Sequence, residues 1–91
     1  MKDCMQQMTL LDLYGHWQTK DGNCHIWIDK DQNRVRLFSD NKPIIDEPIV
    51  FEYLGLENMW TISKSVTLFM IFPEDGSIML KIYDDKVVFI R

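Results

Sequence analysis

The feature that most constrains this chain is its punctuation. Turn-forming clusters recur at a spacing of about ten residues, the interval of short-stranded all-β domains. They are "DG" at 21–22, "DKDQN" at 29–33, "SDNKP" at 39–43, "GLEN" at 55–58, "SKS" at 63–65, "PEDG" at 73–76 and "DD" at 84–85. Glycine supplies positive φ, proline presets φ, and Asp, Asn and Ser hydrogen-bond their own backbone, so each cluster favours reversal over continuation. The runs between them are rich in β-branched and aromatic residues and predict eight strands near 15–20, 24–29, 33–38, 48–54, 58–63, 65–72, 77–83 and 86–90.

Short loops join consecutive strands antiparallel. The expected fold is therefore mainly β, a single domain over 1–91, with a short N-terminal helix followed by about eight antiparallel strands in an up-and-down meander. Closure into a small barrel removes the unpaired edges that invite aggregation. A two-layer β-sandwich is the alternative, and the longer connection, 39–47, is expected to bend the sheet across a corner. Before the first strand, Met5, Met8, Leu11 and Leu10 fall at helical spacing with Asp3 as a cap, which predicts an amphipathic helix over 3–13 covering an open end.

The first hairpin sets the faces. A two-residue turn at Asp21 and Gly22 pairs Lys20 with Asn23, Gln18 with His25 and His16 with Trp27. Alternation then places Trp17, Thr19, Cys24, Ile26 and Ile28 on the core face, and His16, Gln18, Lys20, His25 and Trp27 outside. His16 and His25 become diagonal neighbours, roughly 7 to 8 Å apart along the backbone. Structural zinc wants four ligands and catalytic zinc three, so no metal site is assigned. Cys24 points away from both imidazoles, which leaves no nucleophile and base pair and makes it a small buried hydrophobe. The acidic pairs fall in turns, and no phosphate-cradling glycine loop is present. No catalytic residue and no cofactor is assigned.

The segment "LYGHW", Leu13 to Trp17, resembles the Leu-x-Gly-x-Trp opening of lipocalin-like (calycin) barrels. The resemblance implies a short helix leading into the first strand, a tight entry at Gly15, and Trp17 packed across the closed end of the barrel. It also implies a basic residue over the tryptophan, for which Lys86 and Arg91 are the candidates. The match covers five residues, and the family's later motifs have no counterpart in this shorter chain. Ligand binding does not follow from it.

The chain carries 14 acidic and 10 basic residues, a net charge of −4, with its cations scattered singly. Nucleic-acid binders concentrate positive charge on one face, so that role is not expected. No apolar run approaches the roughly 20 residues of a membrane span or the 7 to 15 of a signal-peptide core, so the expectation is a cytoplasmic protein with reduced thiols. Cys4 would be a lipid-attachment or disulfide cysteine only in an exported or longer precursor.

The second half of the chain is apolar on both strand faces. Val66, Leu68, Met70 and Phe72 alternate against Phe69 and Ile71, while Ile78, Leu80 and Ile82 alternate against Met79 and Tyr83. One face fills the interior and the other needs a cover. Phe69, Ile71, Met79 and Tyr83, with Trp27 and Trp60, form the expected interaction surface. The functional expectation is a non-enzymatic interaction or accessory module that binds a protein partner or itself. The alternative is a lipocalin-like carrier of a small apolar ligand.

Overall fold

The computed structural model describes residues 10–55 and 59–91. Most of the helix expected over 3–13, with Met5 and Met8, lies outside the described residues. The part within them, Leu10–Leu13, is a single 3-10 turn.

Eight strands follow in sequence: β1 (Gly15–Gln18), β2 (Cys24–Asp29), β3 (Arg34–Ser39), β4 (Lys42–Tyr53), β5 (Trp60–Ser63), β6 (Val66–Phe72), β7 (Ser77–Ile82) and β8 (Asp85–Ile90). Each pairs antiparallel with the next, and β8 returns to β1 through Ile90 and Gln18, so the meander closes into a barrel. The closing seam is short, with that one pair in register.

The register of the first hairpin is the one its sequence predicts, His16 opposite Trp27 and Gln18 opposite His25. The reversal itself is wider than two residues. Thr19 N–H donates to the Cys24 carbonyl at 3.0 Å and Gly22 N–H to the Thr19 carbonyl at 2.9 Å, so Lys20 and Asn23 belong to the turn and not to the ladder. The Asp21 carboxylate holds this turn by accepting from Thr19 Oγ1 at 2.7 Å and from Asn23 N–H at 3.0 Å. Those bonds keep the Asp21 carboxyl below the ordinary aspartate range.

The longer connection expected over 39–47 is not a loop. Asp40 and Asn41 take positive φ, 54° and 67°, and reverse the chain in two residues, with Ser39 opposite Lys42. That is the geometry whose twist matches a hairpin, and Asp and Asn tolerate it best after glycine. β4 therefore begins at Lys42 and runs for 12 residues. Its prolines and paired acids read as loop signals, yet Pro43 and Pro48 sit opposite Phe38 and Arg34. Two register shifts, one at Ile44 and one near Val50, bend β4 so that its first half pairs with β3 and its second with β5. A bulge adds a residue to one strand and increases its twist, and so turns the sheet without a loop.

Trp17, Ile26, Ile28, Val35, Leu37, Ile62, Val66, Leu68, Ile78, Leu80 and Phe89 are buried and fill the interior as one cluster, joined by Leu13, Ile45, Ile49 and Ile82. These are the alternate residues of strands whose partners face outward, as the pleat requires. An eight-stranded barrel is about wide enough for its own side chains, and large residues occupy this one.

Candidate functional site: the entry to the first strand and two outer faces

The first site grows from the entry to β1. Trp17 is 1% exposed, and its indole N–H donates to the Leu13 carbonyl at 2.9 Å. The Arg91 guanidinium lies over the indole, 4.0 Å from its ring centroid. Arg91 Nη1 donates to the Tyr14 carbonyl at 3.0 Å, and Nη2 donates to the Asp12 carbonyl. One side chain thus binds the last strand to the turn that precedes the first. The backbone there favours glycine, and a side chain would also displace the guanidinium. The φ of Gly15 is +114°, and a Cβ would stand 2.9 Å from Arg91 Nη1. Lys86, the other candidate cover, sits elsewhere with its ammonium 4.3 Å above the Phe69 ring.

The outer face of β1, β2 and β3 carries polar and aromatic groups in rows. His16, Trp27, Arg36 and Asp46 follow one another across neighbouring strands, as do Gln18, His25, Phe38 and Pro43. His16 Nε2 and His25 Nδ1 are 2.8 Å apart, with ring planes within 8° and centroids 5.0 Å apart, an edge-to-edge hydrogen-bonded pair. Trp27, 45% exposed, stacks on the His16 ring with centroids 4.2 Å apart. Burial, then the neighbouring His25 and Arg91, holds the His16 imidazole below its ordinary pKa. A groove of about 560 Å³ runs beside Trp27, lined by Tyr14, Gly15, Asp29, Lys30, Arg36 and Phe38 among others. Arg34 and Arg36 are engaged by Asp46 at 2.6 Å and 3.8 Å, and Arg36 also by Asp29 at 3.5 Å and by Gln32. Those ion pairs hold the Asp46 carboxyl below its usual range.

The outer face of β6, β7 and β8 differs from the sequence expectation because of one residue. Leu68 pairs with Leu80, but Met70 pairs with Met79, so Phe69 is an extra residue in β6. Beyond this bulge the alternation inverts. Met70 turns outward and Ile71, opposite buried Ile78, packs against the core. Met70, Met79 and Val88 consequently form a continuous outer row, with Met70 and Val88 each 42% exposed. Phe72, Val88 and Ile90 line an adjoining groove of about 540 Å³ with Ser77, Lys20 and Asp75.

The expected surface residues thus divide. Trp27, Met79 and Tyr83 stand on the outside, Tyr83 at 61% exposure in the β7–β8 turn with φ of 55°. Phe69 lies under Lys86. Ile71 and Trp60 pack against the core, and Trp60 also meets the Tyr53 ring at 5.2 Å. Met70, Val88 and Ile90 are surface residues that the alternation did not place there, and of the two candidates for the place over Trp17 it is Arg91 that takes it. An inward or outward assignment by alternation fails after a bulge, and the partner of Arg91 lies at the opposite end of the sequence.

One carboxylate is clamped. Val35 faces inward and is opposite Glu47, which places Glu47 on the inner side of β4. Glu47 Oε2 accepts from Ser63 Oγ at 2.5 Å and from Ser65 N–H at 2.6 Å, and Oε1 accepts from Ser65 Oγ at 3.1 Å. Burial pushes the Glu47 carboxyl upward, but these three bonds, with Lys64 nearby, outweigh it and hold the group below its ordinary value. The arrangement fastens the β5–β6 turn to β4. Among the described residues no three His, Cys, Asp or Glu side chains converge as metal ligands, and no helix is long and apolar enough to cross a membrane.

No family model matches the chain, and the searches of curated proteins and of solved structures find none similar to it.

Proposed function

We propose that this protein is a non-enzymatic interaction module whose contact surface is the outer face of β6, β7 and β8. The observation that carries the reading is the row Met70, Met79 and Val88, continuous with the groove at Phe72 and Ile90. The bulge at Phe69 assembles that row, and its apolar side chains cross three strands at one level. Methionine is unbranched and polarisable and adapts to a partner's surface. Residues at the groove margin, Lys20 and Asp75, supply the polar rim that such contacts carry. The cluster of buried apolar side chains inside the barrel supports a role on its outside.

Affinity capture from the native host with the wild-type protein, Met79→Lys and Val88→Lys tests this. A protein retained by the wild type and lost from both variants, all three giving the same β circular dichroism, is the expected result. Retention unchanged by both substitutions would remove this face from the function. Sedimentation velocity over a range of concentrations separates a second copy from a different partner.

A lipocalin-like carrier is the second reading. It draws on Arg91 over Trp17 beside Gly15, the arrangement that the Leu-x-Gly-x-Trp resemblance implies. Titration with a long-chain fatty acid while following tryptophan emission is the test, and saturable binding would favour the carrier over the module.

A further inference from the structure

The histidine pair has a geometry that the interaction reading does not use. We propose that His16 Nε2 and His25 Nδ1 form a two-imidazole chelate for a divalent late first-row transition metal, of which Ni²⁺ is the convenient probe. Imidazole is a preferred ligand of these ions. The two residues stand on adjacent strands of one ladder, Gln18 being opposite His25 and His16 opposite Trp27. Their nitrogens are therefore placed by the sheet backbone and not by loops.

If the two rings turn about these nitrogens and keep their separation, that separation sets the coordination angle. With metal–nitrogen bonds of about 2.0 to 2.1 Å, two nitrogens 2.8 Å apart subtend an angle of roughly 85° at the metal. That is close to the right angle between neighbouring ligands in octahedral or square-planar coordination. A tetrahedral ion requires about 3.3 Å between the same atoms at these bond lengths. The pair thus fits Ni²⁺ or Cu²⁺ with water in the remaining positions, and binding needs no third protein ligand. His16 and His25 are both half-buried. Entry of the metal requires each ring to swing within its plane so that both lone pairs converge beside the line between the nitrogens.

The proton accounting is simple. In the metal-free pair one imidazole donates its N–H to the other. On binding, that proton moves through solvent to the far nitrogen of the same ring, so both facing nitrogens offer lone pairs and two neutral imidazoles bind without net proton release. Trp27, stacked 4.2 Å from His16, becomes the reporter, because a paramagnetic ion on that ring quenches its emission.

The chain has two histidines in all, which makes the test clean. The full chain is titrated with nickel chloride by calorimetry. In parallel, diethyl pyrocarbonate modification of each imidazole is followed by mass spectrometry with and without Ni²⁺. The expected result is one Ni²⁺ per chain, protection of both histidines together, and an affinity lowered about tenfold or more by either His16→Gln or His25→Gln. Trp27→Phe should retain the calorimetric binding and lose most of the quenching. Protection of one histidine alone, no protection, or undiminished affinity in either Gln variant would overturn the proposal. The footprint is read on the wild-type protein, so it decides the matter even if a variant fails to fold.

Discussion

Arg91 shows how much one side chain can organise. It places a cation on a buried aromatic face and donates to two carbonyls at the end of the 3-10 turn, groups that a strand ladder cannot satisfy. Arg91→Ala is expected to cost about 2 kcal/mol, because a cation–π contact is worth about 0.5 to 2 and a hydrogen bond from a charged group about 1.5 to 3 before solvent discounts it. Urea denaturation followed by tryptophan emission measures it. Gly15→Ala should cost about 1 to 3 kcal/mol by the same assay, since alanine at φ of +114° is strained and its Cβ meets the guanidinium. Glu47 is the second organising residue. Glu47→Gln keeps the shape but weakens the acceptor for three donors, at a cost of about 1 to 2 kcal/mol. The folded carboxyl titrates below its unfolded value, so its contribution is present above the ordinary glutamate pKa and is lost as pH falls through the folded one. Wild type should lose stability in that acid range, and Glu47→Gln should lose less.

Among the elements, β6 is the most instructive, because one extra residue reassigns its faces. Unbroken alternation puts Met70 inside with Leu68, and the bulge at Phe69 puts Ile71 inside instead. Truncation distinguishes the two. Ile71→Ala should destabilise by about 2 kcal/mol, and Met70→Ala by less than about 0.5, values typical of packed and of exposed positions. Equal costs, or the reverse order, would mean that β6 is regular. β4 makes the complementary point. Two bulges and two prolines look like a break in the sequence, yet they let one strand serve two pairings at a bend. The tight reversal at Asp40 and Asn41 depends on two non-glycine residues with positive φ, which no periodicity argument reveals.

For the whole molecule, the consequence of closure is that every strand has two neighbours although the β1–β8 seam is narrow. The contacts across that seam join the two ends of the chain, and such long-range contacts form late because loop-closure entropy must be met first. Folding should accordingly fall in the millisecond-to-second range of all-β domains, as read by stopped-flow tryptophan emission. Arg91→Ala should mainly accelerate unfolding, since a contact made after the rate-limiting step does not slow folding.

The eight strands, their antiparallel order and the inner face of β1 and β2 were legible in the residues themselves, because alternation and turn chemistry act over a few neighbouring positions. The register of the first hairpin was legible for the same reason, whereas the candidacy of Arg91 and Lys86 for the place over Trp17 came only from the resemblance of the Leu-x-Gly-x-Trp opening. Which of the two occupies it was decided only when the last strand came to lie beside the first. The outward turn of Met70 and the length of β4 were likewise decided by tertiary pairing. A bulge, a bend or a side-chain contact depends on what stands opposite, and a sequence read along its own length does not contain that neighbour.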